Sequence, residues 1–184
     1  MPKATLYFLR SSEQRITTSM IHYSMRLDDI DKTIQDFPQL NIYEKFYGLS
    51  TKDLGLYALV DNKVAGAVWI RLLKEDDNAM GYVDAKTPVL NIAVIPELRG
   101  KGIGSFMLEQ FLLEAGAVFE QTSLSVTQES DAVKFFTKFG FAKLDASEGK
   151  SLIDGRDTFT MTKKLQKKEV VRPTDGYDPR RWMD

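Results

Sequence analysis

NIAVIPELRGKGIGSFML, residues Asn91 to Leu108, is the stretch on which the fold turns. A short apolar run closes at Pro96. Arg99 follows, then Gly100, Gly102 and Gly104 with Lys101 among them. From there Met107, Leu108, Phe111, Leu112 and Ala115 recur at helical spacing, and Gly116 supplies a stop. The pattern predicts a strand, a tight turn and a helix starting near Gly104. The first N–H groups of a helix have no internal partner, and the helix dipole places partial positive charge there. Glycines let the backbone turn with its N–H groups converging on one point. Such a joint is an anion site suited to phosphate, and Arg99 and Lys101 add charge at its rim. It is neither of two familiar nucleotide loops. G-x-x-x-x-G-K-[ST] is absent, and the dinucleotide fingerprint G-x-G-x-x-G would need glycine where Ser105 stands.

Working outward, TLYFLR (Thr5–Arg10) reads as a first strand, and Ser11 with Gln14 as a capping box opening a helix to about Met25. Residues 28–48 hold two short helical pieces divided near Pro38. DLGLYALV and KVAGAVWIRLL read as a hairpin with its turn at Asp61-Asn62. A polar connection, KEDDNAMGYVDAKT, leads to the strand PVLNIAVI. Beyond the helix, SLSV is a strand, SDAVKFFTKFG a helix capped by Ser130 and ended by Gly140, and FAKL and DTFTMTKKL are closing strands. The expected fold class is α/β, a mixed, mainly antiparallel central sheet with a parallel pair at its middle, flanked by helices. One domain over residues 1–165 is expected, with a charged tail over 166–184 whose Tyr177 and Trp182 dock on the body or a second subunit, or remain a free end.

With 184 residues and 43% hydrophobic content the chain can bury a sizeable core. A formal net charge of -1 and the lack of a basic stripe give no reason to expect nucleic acid. There are no cysteines and one histidine, His22, which excludes disulfides, thiolate or multi-histidine metal sites and a cysteine nucleophile. No apolar run approaches a membrane span, and the N-terminus lacks a signal-type core, so no membrane partner and a cytoplasmic location are expected.

The order Val94, Pro96, Arg99, Gly100, Gly102, Ile103, Gly104 is V-x-P-x-x-R-G-x-G-I-G, which closely resembles the acetyl-CoA-binding motif of the GNAT acetyltransferase superfamily. The hairpin, the A-x-x-F-F-x-x-x-G-F pattern from Ala132 to Phe141 and the closing strand are similar as well, so the resemblance covers about Thr5 to Leu165. It implies that the sheet's parallel pair is splayed. It implies acetyl-CoA as cosubstrate, with the pyrophosphate on the backbone of Arg99, Gly100, Lys101, Gly102, Ile103, Gly104 and Ser105. The pantetheine arm would lie along Ile92, Ala93 and Val94, with the Val94 N–H facing the thioester carbonyl as an oxyanion donor. Glu129 stands where relatives place an asparagine against the cofactor arm, and Phe136 where many have a tyrosine that protonates the departing thiolate.

Attack on a thioester needs a neutral amine. Relatives often carry a carboxylate base ahead of the motif strand, and Val89 holds that place here. Asp84 is the nearest candidate base, and a turn residue in a polar loop is its other reading. Tyr82 or water could replace the missing tyrosine acid. His22, the pair Tyr43 and Tyr47, and Arg71 each admit an acceptor-binding role or a structural one. The expected function is N-acetylation of a small or peptide primary amine by direct attack, in a possible homodimer. An acyl-CoA-binding sensor with little turnover is the alternative, motivated by Val89 and Phe136.

Overall fold

The computed structural model describes residues 2–172; the aromatics Tyr177 and Trp182 lie outside them. Eight strands form one sheet: β1 (Thr5–Phe8), β2 (Leu54–Val60), β3 (Lys63–Arg71), β4 (Val89–Val94), β5 (Gln121–Thr127), β6 (Ala142–Lys143), β7 (Gly149–Lys150) and β8 (Asp157–Lys164). Their order is β1-β2-β3-β4-β5-β8-β6, with β7 also on β8. Every pairing is antiparallel except β4 with β5. The helices are α1 (Gln14–Ser24), α2 (Asn41–Glu44), α3 (Ile103–Gly116) and α4 (Ala132–Lys138).

Alternation along the strands feeds two cores. On one face Leu56, Val68, Ile70 and Leu90 pack against Met107, Leu108 and Phe111 of α3. On the other, Tyr57, Trp69, Val89 and Ala93 pack against Met20 and Ile21 of α1 and against Leu40 and Tyr43. Trp69 is fully buried, and its indole N–H donates to the Tyr43 carbonyl at 2.8 Å. The β2–β3 turn has left-handed Asp61 and Asn62, the conformation that a two-residue hairpin requires.

Several boundaries differ from expectation. Glu13, not Gln14, closes the first capping box: Arg10 N–H donates to its carboxylate at 3.0 Å, and a 3-10 turn over Ser11–Glu13 precedes α1. The segment 27–44 is mostly 3-10 turns, because left-handed Arg26 and Asp31 and then Pro38 break any longer helix. Asp131 occupies the cap position of α4, while the Ser130 hydroxyl accepts from the Ala132 N–H at 3.1 Å. α3 runs through Gly116, where no Cβ would fit against the Gln166 carbonyl.

That contact begins a docked segment. Arg172 forks onto the Glu114 carboxylate at 3.0 and 3.3 Å, and the Glu114 side chain is only 7% exposed. Gln110 donates to the same carboxylate at 3.3 Å. A buried carboxylate stripped of its cation is destabilising. Arg172→Ala is therefore expected to cost about 1–3 kcal/mol, read as a fall of several degrees in Tm. An unchanged Tm would show the contact to be idle.

Candidate active site

The parallel ladder between β4 and β5 holds at one register position, Val89 opposite Ser123, and then opens. Backbone direction follows from hydrogen-bond parity. The Ile95 N–H donates to Ala65 on β3, so Ala93 also turns its backbone to β3, whereas Ile92 and Val94 turn theirs into the opening. Ala93 thus departs from its expected role: its carbonyl lies against Gly66, and only its side chain approaches the α1 side. Ile92 and Val94 present two N–H donors in line. The opening continues into a cleft of about 1050 Å³ bounded by β4, β5, the glycine turn, α4, the segment from Tyr23 to Ile30 and residues 151–156.

At one end stands the glycine turn. Gly100 and Gly102 have φ of 73° and 84°, so the turn needs residues without a Cβ there. Gly102 is the cap of α3 and offers no side chain to its first turn. The N–H groups of Gly102, Ile103, Gly104 and Ser105 precede the first helical bond, which runs from Phe106 to the Gly102 carbonyl at 3.0 Å. Gly104 has an ordinary helical φ, and a Cβ there would meet Val94 and Phe135 no closer than 3.7 Å. Internal packing therefore does not require glycine at 104; a ligand lying directly on the backbone would. This uncapped cradle fits a diphosphate. Ile103 buries its side chain in the core beneath it, and Lys101 and Ser105 are exposed beside it.

Arg99 is not a loose rim charge. Its Nε donates to the Val94 carbonyl at 3.0 Å, and its Nη1 meets Asp28 at 3.3 Å. It thereby satisfies the last carbonyl of β4 in place of β5 and ties the glycine turn to the segment after α1. Glu129 is exposed on the cleft wall, and Phe136 lines the cleft from within the core between Phe135 and Phe141. Phe136 has no proton to give.

Asp84 does not join these residues. It is exposed outside the cleft, where its carboxylate accepts from the Lys86 N–H at 2.8 Å. That bond, with one from the Thr87 side chain, holds its carboxyl below the usual range, so it stays ionised and is a weak base. Tyr82 lies along a smaller groove of about 360 Å³ beside the cleft. Tyr43 reaches the cleft but donates to the Met80 carbonyl at 3.2 Å, and burial pushes its phenol well up, so it remains protonated. Tyr47 is core, bonded to the Leu9 carbonyl. His22 stacks edge-on against Tyr23 away from the cleft lining. Arg71 is occupied by Asp53 and by the carbonyls of Ile42 and Lys45, which rules out its substrate role.

Two features escaped the sequence reading. Asn91 is 7% exposed at the cleft, and its Oδ1 accepts from the Ser24 hydroxyl at 3.3 Å. The other is a run of hydroxyls on β5 and β8. Its trace was present in S-L-S-V-T and T-F-T-M-T, a strict alternation of polar and apolar residues. The carboxylates that line the cleft, Asp29, Glu129, Asp131 and Asp154, are all exposed, whereas Tyr43, Asn91 and Thr158 in its depth are neutral.

This geometry has parallels. Residues 52–143 match the model of the acetyltransferase (GNAT) domain family. An N-alpha-acetyltransferase of Saccharolobus solfataricus is 30% identical over 152 residues, covering 76% of this chain and 90% of that protein. Among solved structures, a GNAT-family acetyltransferase from Streptococcus pneumoniae superposes with TM-score 0.64 at 19% identity, over 89% of this chain and 99% of that one. A GNAT phosphinothricin acetyltransferase from Sinorhizobium meliloti in complex with AcCoA gives TM-score 0.60 at 17% identity, over 96% of each chain. A family model spanning half the chain and a curated relative matched over nine-tenths of its length lead to one assignment: this chain belongs to the GNAT acetyltransferase family and is an acyltransferase.

Proposed function

We propose that the protein moves an acetyl group from acetyl-CoA to the α-amine of an acceptor by direct attack. The observation that carries this reading is the uncapped glycine cradle at one end of a splayed strand pair, with Ile92 and Val94 N–H groups directed into the opening. The cradle would hold the pyrophosphate and the strand edge the pantetheine arm. The amine nitrogen attacks the thioester carbonyl, its C–N bond forms, and the electron pair moves onto oxygen, which the Val94 N–H stabilises. Ile92 offers a donor in the same direction one register step deeper. The C–S bond then breaks, CoA leaves as thiolate, and the spare ammonium proton passes to water.

The neutral depth of the cleft, where Tyr43, Asn91 and Thr158 stand while the lining carboxylates lie at exposed positions, supports an α-amine acceptor. A side-chain amine has a pKa of about 10.4, an α-amine about 7.7–8.0. At pH 7 the neutral, nucleophilic fraction of the α-amine is larger by two to three orders of magnitude, on the order of the gap between those values. With Val89 in place of a carboxylate and Asp84 turned outward, the α-amine is the acceptor that needs least help. A thiol of pKa about 8.5 is a tolerable leaving group without a tyrosine at 136. The name of the Saccharolobus solfataricus relative, an N-alpha-acetyltransferase, points the same way.

Phe136 and the outward Asp84 also suit a second reading, an acyl-CoA-binding sensor. CoA release from acetyl-CoA, followed with a thiol reagent over a panel of amines and a no-amine blank, separates the two. Release above the blank with α-amines is expected. A flat panel while acetyl-CoA raises Tm would favour the sensor.

A further inference from the structure

β5 and β8 carry four hydroxyls in two facing pairs, Ser125 opposite Thr160 and Thr127 opposite Thr158. Their neighbours Leu124, Val126, Phe159 and Met161 point into the α3-side core, so the hydroxyls share the other face of the sheet. The Gln128 N–H bonds the Asp157 carbonyl, which makes both facing pairs non-hydrogen-bonded ones, where side chains stand closest. Ser125, Thr127 and Thr158 line the cleft, and Ser125, Thr158 and Thr160 line the smaller groove beside it. Thr158 and Thr160 are each 7% exposed. Among the described residues none of the four hydroxyls has a hydrogen-bond partner, whereas the next one along, Ser123, donates to the Gly81 carbonyl at 2.6 Å. Each of the four oxygens stays open to the cleft or groove, since Asp28 Oδ1 is the only buried side-chain polar atom without a partner among the described residues, so this floor is available to a polar ligand that both donates and accepts.

The rim narrows the ligand's chemistry. Its Arg26 pairs with Asp29, its Arg99 with Asp28 and its Arg156 with Asp154, while Glu129 and Asp131 line it with no ion pair among the described residues. Two carboxylates in excess favour an acceptor that brings a cationic amine over an anionic amino acid, and the hydroxyls then separate a peptide from a polyamine, whose ammonium groups only donate. A hydroxyl both donates and accepts, and so does each residue of a peptide main chain. We propose that the Ser125–Thr160 and Thr127–Thr158 hydroxyls form a subsite that binds the main chain behind the acceptor amine, which makes peptide N-termini the acceptor class. The proposal rests on the amine-acetylation reading above.

The test is a series with a constant N-terminal residue and uncharged side chains: an amino-acid amide, a dipeptide, a tripeptide and a tetrapeptide. With the full chain, kcat/KM is expected to rise about tenfold from amide to tripeptide, the effect of two modest hydrogen bonds. In Ser125→Ala and in Thr160→Val, which keeps volume, the series flattens. The tripeptide loses about five- to tenfold, mostly in KM, while the Kd for acetyl-CoA is unchanged. A wild-type series that is flat, with transfer to the amide intact, overturns the subsite and leaves amine acetylation standing. Weaker acetyl-CoA binding in the variants would assign the hydroxyls to the cofactor arm and also overturn it. No transfer to any acceptor would overturn both readings.

Discussion

Gly104→Asp is expected to weaken acetyl-CoA binding by at least about 100-fold without lowering Tm. Position 104 lies in the first turn of α3, where a Cβ meets only ordinary contacts, the nearest at 3.7 Å. An aspartate there replaces glycine, a poor helix former, and its charge favours the helix N-terminus. Stability should therefore hold or rise. The same carboxylate would stand in the cradle of free N–H groups from Gly102 to Ser105 and repel a diphosphate. Binding and stability move apart only if the cradle serves a ligand and not the fold. Calorimetric titration with acetyl-CoA, alongside a thermal melt, reads both. Tight binding by the variant would show that the pyrophosphate lies elsewhere.

The second large effect is on pH. If no group of the protein removes the amine's proton, kcat/KM follows the acceptor's own ionisation. For an α-amine of pKa about 7.7–8.0 it should climb tenfold per pH unit below pH 7 and level off above about pH 8. The sign follows from the chemistry: raising pH converts ammonium to nucleophile. Asp84 adds no inflection, because the Lys86 N–H and the Thr87 side chain hold its carboxyl below the usual range and it is already ionised throughout. An acceptor with a less basic amine should shift the whole curve to lower pH by the difference in pKa. A curve that stays in place when the acceptor changes would mean that a residue of the protein is the base.

The strand–turn–helix joint was legible because it is local. Its apolar period changes at Pro96, and glycine at 100 and 102 reports positive φ, which backbone sterics make nearly obligatory. The hairpin was legible at Asp61-Asn62 for the same reason. What stayed hidden depends on partners distant in sequence. Arg99 reads as a free rim charge until Asp28 and the Val94 carbonyl are seen to hold its side chain. Arg71 reads as a substrate contact until Asp53 and two carbonyls take it. Ala93 lies in the motif, yet strand parity, set by the bond from Ile95 to Ala65, turns its backbone away from the opening. The hydroxyl floor was written in two short strands but acquires meaning only from their register, which places Ser125 opposite Thr160.

The central claim is acetyl transfer to an α-amine at a site whose described carboxylates stand exposed on its rim rather than in its depth. Its most direct test is a tripeptide with a free N-terminus and one internal lysine, incubated with the protein and acetyl-CoA at pH 7 and sequenced by fragmentation mass spectrometry. A single acetyl group on the N-terminal nitrogen, with the lysine unmodified, is the predicted product. Acetyl on the lysine, or an unmodified peptide from a protein that binds acetyl-CoA, would contradict it.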